Sequence, residues 1–347
     1  MSESPHIFFM ASQQLQDRFF NEQAKCYAAK IGYEIRLNTL PGKVAVGEWV
    51  EQLVGVEALL TTWGSPRLDE TVLLQNQTLK IVGHVGGSVA GIVSQALFER
   101  GVKVCTANTL MARTVAEWSL MMTMVGLRHL WSYAQFGAQF GAVDWTADWV
   151  RREGNLPPDE AVIGIWGYGD VAKAFIALLR PLHPRAIAVH DDFLTDEIAE
   201  AEGLQKVGLD ELFASADVIH CQTGLTAANK GRVGAQQLAA IKEGGVLVNC
   251  GRAPLIDEQA LIAALQERRF AAIMDVFEEE PLHDEHPYRM MENVILTPHC
   301  AGSGRDGRYL GLMLDEFDRF FRGEALETEV SLQRALAMTD SSLLRKR

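Results

Sequence analysis

Ile163-Gly164-Ile165-Trp166-Gly167-Tyr168-Gly169-Asp170-Val171-Ala172 joins an apolar β-type run to a helical pattern through a glycine turn. Val171, Phe175, Leu178 and Leu179 make one apolar helix face, and Pro181 ends it. A strand, turn and helix in this order expose the N–H groups of the first helical turn, around Asp170 and Val171, to an anion. In the pattern G-x-G-x-x-A, Gly167 permits the tight turn, Gly169 leaves room for a pyrophosphate against the backbone, and Ala172 lets the helix pack close. Asp191 stands 22 residues after Gly169, at the end of the next β-type run. A carboxylate there accepts the ribose hydroxyls of NAD and repels a 2′-phosphate. His190-Asp191-Asp192 brings no arginine to receive such a phosphate. The stretch predicts NAD binding through Gly167, Tyr168, Gly169, Asp170, Val171 and Asp191, with NAD preferred over NADP.

Working outward, six β-type runs alternate with helical segments: Ala161–Trp166, Ala186–His190, Asp217–Cys221, Val246–Asn249, Ala271–Met274 and Val294–Thr297. That alternation is the mark of a doubly wound parallel sheet. A second series precedes it: Ile7–Met10, Tyr33–Leu37, Ala58–Thr62, Lys80–His84 and Val102–Cys105. A long helical pattern from about Arg113 to Tyr133 leads from one series to the other, and Tyr309 to Phe321 is helical again. The fold class expected is α/β, with two Rossmann-like or flavodoxin-like domains, each a doubly wound parallel sheet, and a cleft between them. The smaller domain would be split, residues 1–107 plus 303–347, with the dinucleotide domain, 108–302, inserted.

The chain of 347 residues suits two domains. With 48% hydrophobic and 22% charged residues it is neither disordered nor low in complexity. A net charge of −13 disfavours nucleic acid as a partner. Five scattered cysteines without a C-x-x-C pair suit a reducing cytoplasm. The apolar stretch Trp118–Leu127 is too short to span a membrane, and Met1-Ser-Glu-Ser-Pro does not begin a signal peptide. A cytoplasmic location without membrane attachment is the expectation.

Ligands of doubly wound sheets sit beyond the carboxyl ends of the strands. Three later runs end in reactive groups: Asn249-Cys250-Gly251-Arg252, Asp275-Val276-Phe277-Glu278-Glu279-Glu280-Pro281, and Thr297-Pro298-His299. Singly, each has a bland reading as a salt-bridge partner, a solvated acid or a loop histidine. Together they supply what carbonyl reduction needs, namely a fixed cation, a proton donor and a carboxylate to tune the donor.

These motifs resemble the D-isomer-specific 2-hydroxyacid dehydrogenase family over nearly the whole chain. The similarity is densest from Val115-Ala116-Glu117 to His299, through the glycine turn, Leu247 to Asp257, Asp275 to Leu282 and Asn293 to His299. The resemblance implies a hydride transfer between NAD(H) and a small 2-hydroxy or 2-oxo acid. It makes His299 the general acid and base, Glu280 its partner, and Arg252 the holder of the substrate carboxylate or carbonyl. Glu280 is chosen among three acids because its place, five residues after Asp275 and directly before Pro281, matches the family position. Thr114, Thr223, Cys250, Gly251, Asp275 and His299 fall at coenzyme-contacting positions. Val85, Gly86 and Gly87, in His84-Val85-Gly86-Gly87-Ser88, match the loop whose N–H groups bind substrate. Trp63, just after the Ala58–Thr62 run, is placed to touch the substrate side chain or to sit as a buried or rim tryptophan.

The chain departs from the family pattern in three places. Ser88 to Val93 lacks the usual acidic positions, Ala253 replaces a glycine, and Gln222-Thr223-Gly224 replaces an H-x-P element. The resemblance also implies a homodimer through Phe136 to Arg152, with Trp145 and Trp149 at or near the interface. His283-Asp284-Glu285-His286 lacks the helical H-E-x-x-H spacing, so no metal is expected. The competing reading is a non-enzymatic NAD-sensing or corepressor-like module on the same fold.

Overall fold

A computed structural model describes residues 4–40, 46–130 and 155–344. Trp145 and Trp149, and with them the expected dimer segment, lie outside the described residues.

The described chain divides into two compact units, Met1–Ala112 with Ser303–Ser342, and Arg113–Gly302 with Leu343–Arg347. The first division falls inside a helix, Asn108–Leu127, that starts five residues before the helical pattern expected from Arg113. Packing explains its position: Leu110 and Met111 join the core of the first unit, whereas Ala116, Trp118 and Met122 join that of the second. Near the other end Leu343 and Leu344 pack on the second unit, whereas residues 303–347 were expected to lie in the first domain.

In the first unit, β1 (Ile7–Met10), β2 (Ile35–Leu37), β3 (Ala58–Thr61), β4 (Ile81–His84) and β5 (Lys103–Thr106) are all parallel, in the order β2-β1-β3-β4-β5. This is the flavodoxin-like order. Strands covered on both faces read as continuous apolar runs, and β1, β3 and β4 are buried throughout. Phe8, Met10, Leu59, Val82 and Val104 share one face with Trp49, Leu53 and Leu97. Ile7, Phe9, Leu60 and Ile81 share the other with Tyr309, Met313 and Phe317 of the helix Asp306–Arg322. After that helix Glu316, wholly buried, accepts the N–H groups of Glu327 and Thr328. The chain then bridges β5 antiparallel at Cys105 and Glu329. A buried carboxylate met by backbone donors thus ties the last segment to the first sheet.

In the second unit, β6 (Val162–Trp166), β7 (Ala186–His190), β8 (Gln205–Lys206), β9 (Val218–Cys221), β10 (Val246–Asn249), β11 (Ala271–Met274) and β12 (Val294–Leu296) form one parallel sheet, β12-β11-β10-β9-β6-β7-β8. The winding reverses between β6 and β9, where a doubly wound sheet opens a crevice for a ligand. The α/β class with two parallel sheets is as expected. Short, exposed β8 is an addition to the six expected strands. No described helix is long and apolar enough to cross a membrane.

Candidate active site

The glycine turn leaves β6 at the reversal of winding. Gly167 has φ 111°, and a Cβ there would lie 2.6 Å from the backbone N of Thr223, which follows β9. Only glycine fits that conformation and that approach. Its N–H donates to the carbonyl of His190 over 2.8 Å. The next N–H, of Tyr168, donates to Oδ2 of Asp191 over 2.8 Å, and Oδ1 of Asp191 accepts the N–H of Phe193 over 2.8 Å. The acid at the end of β7 is therefore held by the turn itself. Gly169 caps the helix Asp170–Leu179, and among the described residues no atom lies within 4 Å of a Cβ built on it. Ala172 is wholly buried beneath. An open helix N-terminus over a close-packed turn, beside an oriented carboxylate, fits a dinucleotide. Thr114 is buried on the helix Asn108–Leu127.

The sequence shows no arginine beside Asp191, but the fold brings one from 40 residues away. Arg232 donates through Nη1 to Asp192 at 3.1 Å and lies 3.3 Å from Nε2 of His190 through Nη2. The other nitrogen of His190 meets the carbonyl of Val207 at 3.0 Å, which only an Nδ1–H satisfies. Nε2 is then a free acceptor for the guanidinium.

Arg252, Glu280 and His299 follow β10, β11 and β12, three adjacent strands whose carboxyl ends lie on one edge. Nδ1 of His299 is 2.8 Å from Oε2 of Glu280, and Oε1 of Glu280 accepts the N–H of Phe277 over 3.1 Å. The His299 side chain is 46% exposed against 16% for Glu280, so the acid is recessed and the imidazole presented. His299 has φ 49°, a strained value for a residue with a side chain. Asp275, wholly buried, holds that loop. It accepts Thr297 Oγ1 at 2.6 Å and the N–H groups of Cys300 and Ala301 at 2.9 Å each. Asp275, expected at the coenzyme, has these three contacts within the protein.

Arg252 donates through Nη1 to the carbonyl of Gly251 over 2.6 Å, and its buried Nε has no hydrogen-bond partner among the described residues. Burial pulls the guanidinium below its ordinary value, opposed by the charge of Glu280. Cys250 is buried 3.5 Å from Ser119 Oγ, and burial pushes its thiol up to about 11. That thiol is no nucleophile at neutral pH.

In the first unit the loop after β4 is tied down by threonines from both neighbouring strands. Thr62, after β3, donates to the carbonyl of Val85 over 2.9 Å. Thr106, ending β5, has its hydroxyl 3.0 Å from the carbonyl of Gly86 and 2.6 Å from that of Gly87. A Cβ on Gly86 would lie 2.6 Å from Nε2 of buried His84, which requires glycine there. Trp63, next to Thr62, is 41% exposed, with the Arg18 guanidinium 5.2 Å from its ring and Phe19 5.4 Å away. Arg18 in turn pairs with Asp306 at 2.8 Å.

A family profile described as D-isomer specific 2-hydroxyacid dehydrogenase, NAD binding domain, matches residues 120–301. The chain belongs to that family. NAD is the coenzyme of this 2-hydroxyacid dehydrogenase domain. The chain is 28% identical over 289 residues to a D-3-phosphoglycerate dehydrogenase of Methanocaldococcus jannaschii, covering 82% of this chain and 53% of that one. It therefore spans about half the length of the curated phosphoglycerate dehydrogenases it matches. Glyoxylate/hydroxypyruvate reductase B of Yersinia pseudotuberculosis is 29% identical over 268 residues, 76% of this chain and 79% of that one. In fold the chain is similar to the crystal structure of a phosphoglycerate oxidoreductase from Rhizobium etli. That likeness has a TM-score of 0.78 at 23% identity, over 95% of this chain and 99% of the other.

Proposed function

We propose that the protein reduces a small 2-oxo acid, or oxidises the matching 2-hydroxy acid, with Arg252, Glu280 and His299 as its catalytic residues. The observation that carries this reading is the 2.8 Å pairing of His299 Nδ1 with Glu280, on the strand-end edge that also holds a buried, underused guanidinium. NAD(H), when bound, accepts or supplies the hydride. Glu280 takes the hydrogen bond from Nδ1–H and orients the ring, which leaves Nε2 to exchange a proton with the substrate oxygen. In reduction Nε2–H protonates the forming alkoxide; in oxidation Nε2 removes the hydroxyl proton. Arg252 polarises the 2-oxo oxygen or clamps the carboxylate with its planar fork.

The second unit would then be the coenzyme-binding domain and the first the substrate domain. There the Gly87 N–H of the loop Val85-Gly86-Gly87 would meet the substrate carboxylate, since the Val85 and Gly86 N–H groups donate to the carbonyls of Thr61 and His84. Asp191 would favour NAD over NADP. The names of the relatives support trying glyoxylate, hydroxypyruvate, pyruvate and 3-phosphohydroxypyruvate first. The test is NADH oxidation followed at 340 nm across that panel and bulkier 2-oxo acids. Turnover of at least one acid, lost in His299→Ala, is expected; no turnover by the unaltered protein across the panel would overturn the reading.

A further inference from the structure

Threonine hydroxyls are short-range donors, and one buried among backbone carbonyls decides how nearby peptide planes turn. Thr106 is 2% exposed, and its Oγ1 lies between the carbonyls of Gly86 at 3.0 Å and Gly87 at 2.6 Å, sharing one hydrogen between them. A trans peptide points its N–H opposite its C=O. The carbonyl of Gly86 belongs to the same plane as the N–H of Gly87, and the carbonyl of Gly87 to that of Ser88. Drawing both carbonyls to one point therefore sends both N–H groups away from it.

Among the described residues neither of those N–H groups has a hydrogen-bond partner in the protein. The contrast with the neighbouring peptides is sharp. The Val85 N–H is used by Thr61 and the Gly86 N–H by His84, both through backbone carbonyls, while the Val85 carbonyl is taken by Thr62. The loop lies at the carboxyl end of β4, the edge of a doubly wound sheet where ligands bind. Two successive backbone N–H groups turned away from the protein's own acceptors can serve an anion.

We propose that Thr106 is a positioning residue for the substrate: its hydroxyl turns the Gly87 and Ser88 N–H groups outward as a paired donor for the substrate carboxylate. The inference rests on the proposed 2-oxo acid activity and assigns to Ser88 a backbone role that its side chain does not reveal. Ser88 Oγ is engaged elsewhere, donating to the carbonyl of Thr339 over 2.7 Å.

Thr106→Val keeps the shape and removes the hydroxyl; Thr106→Ser keeps the hydroxyl. With the best acid of the panel, Thr106→Val is expected to raise KM about ten- to a hundredfold, the worth of weakened bonds to a charged group, with kcat changed far less. NADH affinity, read by fluorescence titration, should stay as in the parent, and Thr106→Ser should restore KM. The corresponding 2-oxo amide, which lacks the carboxylate, should show no such loss. Thr106→Ala is the second variant should valine pack badly, with the same expected split. An unchanged KM in these variants against an active parent, or an equal loss with the amide, would overturn the inference alone. A parent inactive on every acid would overturn the activity it rests on.

Discussion

Oε2 of Glu280 meets Nδ1 of His299 at 2.8 Å, and Oε1 accepts the N–H of Phe277 over 3.1 Å. The backbone bond fixes the acid, and the acid then fixes the ring, so the two side chains act as one unit. Removing either should harm the same step. His299→Ala is expected to lower kcat about 10²- to 10⁴-fold, the usual worth of a positioned acid. NADH binding, measured separately by fluorescence, should be nearly unchanged. Glu280→Gln, which leaves the imidazole present but poorly oriented, should lose about 10²-fold at the lower end of that range. A Glu280→Gln enzyme as fast as the parent would show that the pairing does not serve catalysis.

Arg252 tests a different part of the reading. Its Nε is buried without a partner while Nη1 is spent on the Gly251 carbonyl, so much of the fork remains for substrate. Lysine would preserve the charge but not the planar donor set. Arg252→Lys is therefore expected to cost kcat/KM about 10²-fold, in line with roughly 1.5–3 kcal/mol for a bond to a charged group. Full steady-state curves with varied 2-oxo acid would read it. Activity near that of the parent would mean that only the charge matters.

Much of this was legible in the sequence, for identifiable reasons. Strands β6, β9, β10 and β11 announce themselves because strands buried on both faces are almost wholly apolar. Gln205–Lys206 is exposed and polar, and nothing in its pattern marks a strand. The grouping of Arg252, Glu280 and His299 was legible because their order along the chain matches the order of β10, β11 and β12 along the sheet edge. Thr62, Thr106 and Arg232 were missed because each works on a loop remote in sequence, and no periodicity encodes a side chain reaching a neighbouring strand's backbone. The start of the helix at Asn108 was missed because its first turn packs in one unit and the rest in the other.

The two glycines of the turn should behave oppositely on substitution. At Gly167 a methyl group meets Thr223 N at 2.6 Å with φ at 111°, so Gly167→Ala strains the fold itself. A loss of more than about 2 kcal/mol is expected from the backbone conformation and the contact combined. At Gly169 no described residue comes within 4 Å of the added carbon. Gly169→Ala should cost only about 0.5–1 kcal/mol, as a weaker helix cap, yet weaken NADH binding by filling the space the pyrophosphate takes. Urea unfolding paired with NADH titration of both variants separates the cases. Unimpaired NADH binding in Gly169→Ala would remove the turn from the coenzyme site.

Each unit also carries a buried histidine that should make it acid-sensitive. Burial drives the imidazoles of His84, in the first unit, and His220, in the second, down to about 3. His220 meets Thr123 Oγ1 at 2.9 Å through Nε2 and packs on Phe175, while its Nδ1 has no hydrogen-bond partner among the described residues. Unfolded, such a group titrates near 6.5. Between that value and about 3 the unfolded chain binds a proton that the folded unit does not. Stability from the neutral ring is thus fully present above about pH 6.5 and lost as pH falls, at up to about 1.4 kcal/mol per pH unit for each histidine. Urea midpoints measured from pH 7 to 4.5 should fall accordingly. Because carboxylates also respond to acid, the decisive comparison is His220→Gln, which cannot take up the proton. Its midpoint should start lower at pH 7 but fall less steeply, and a slope equal to that of the parent would mean His220 is protonated in the folded chain.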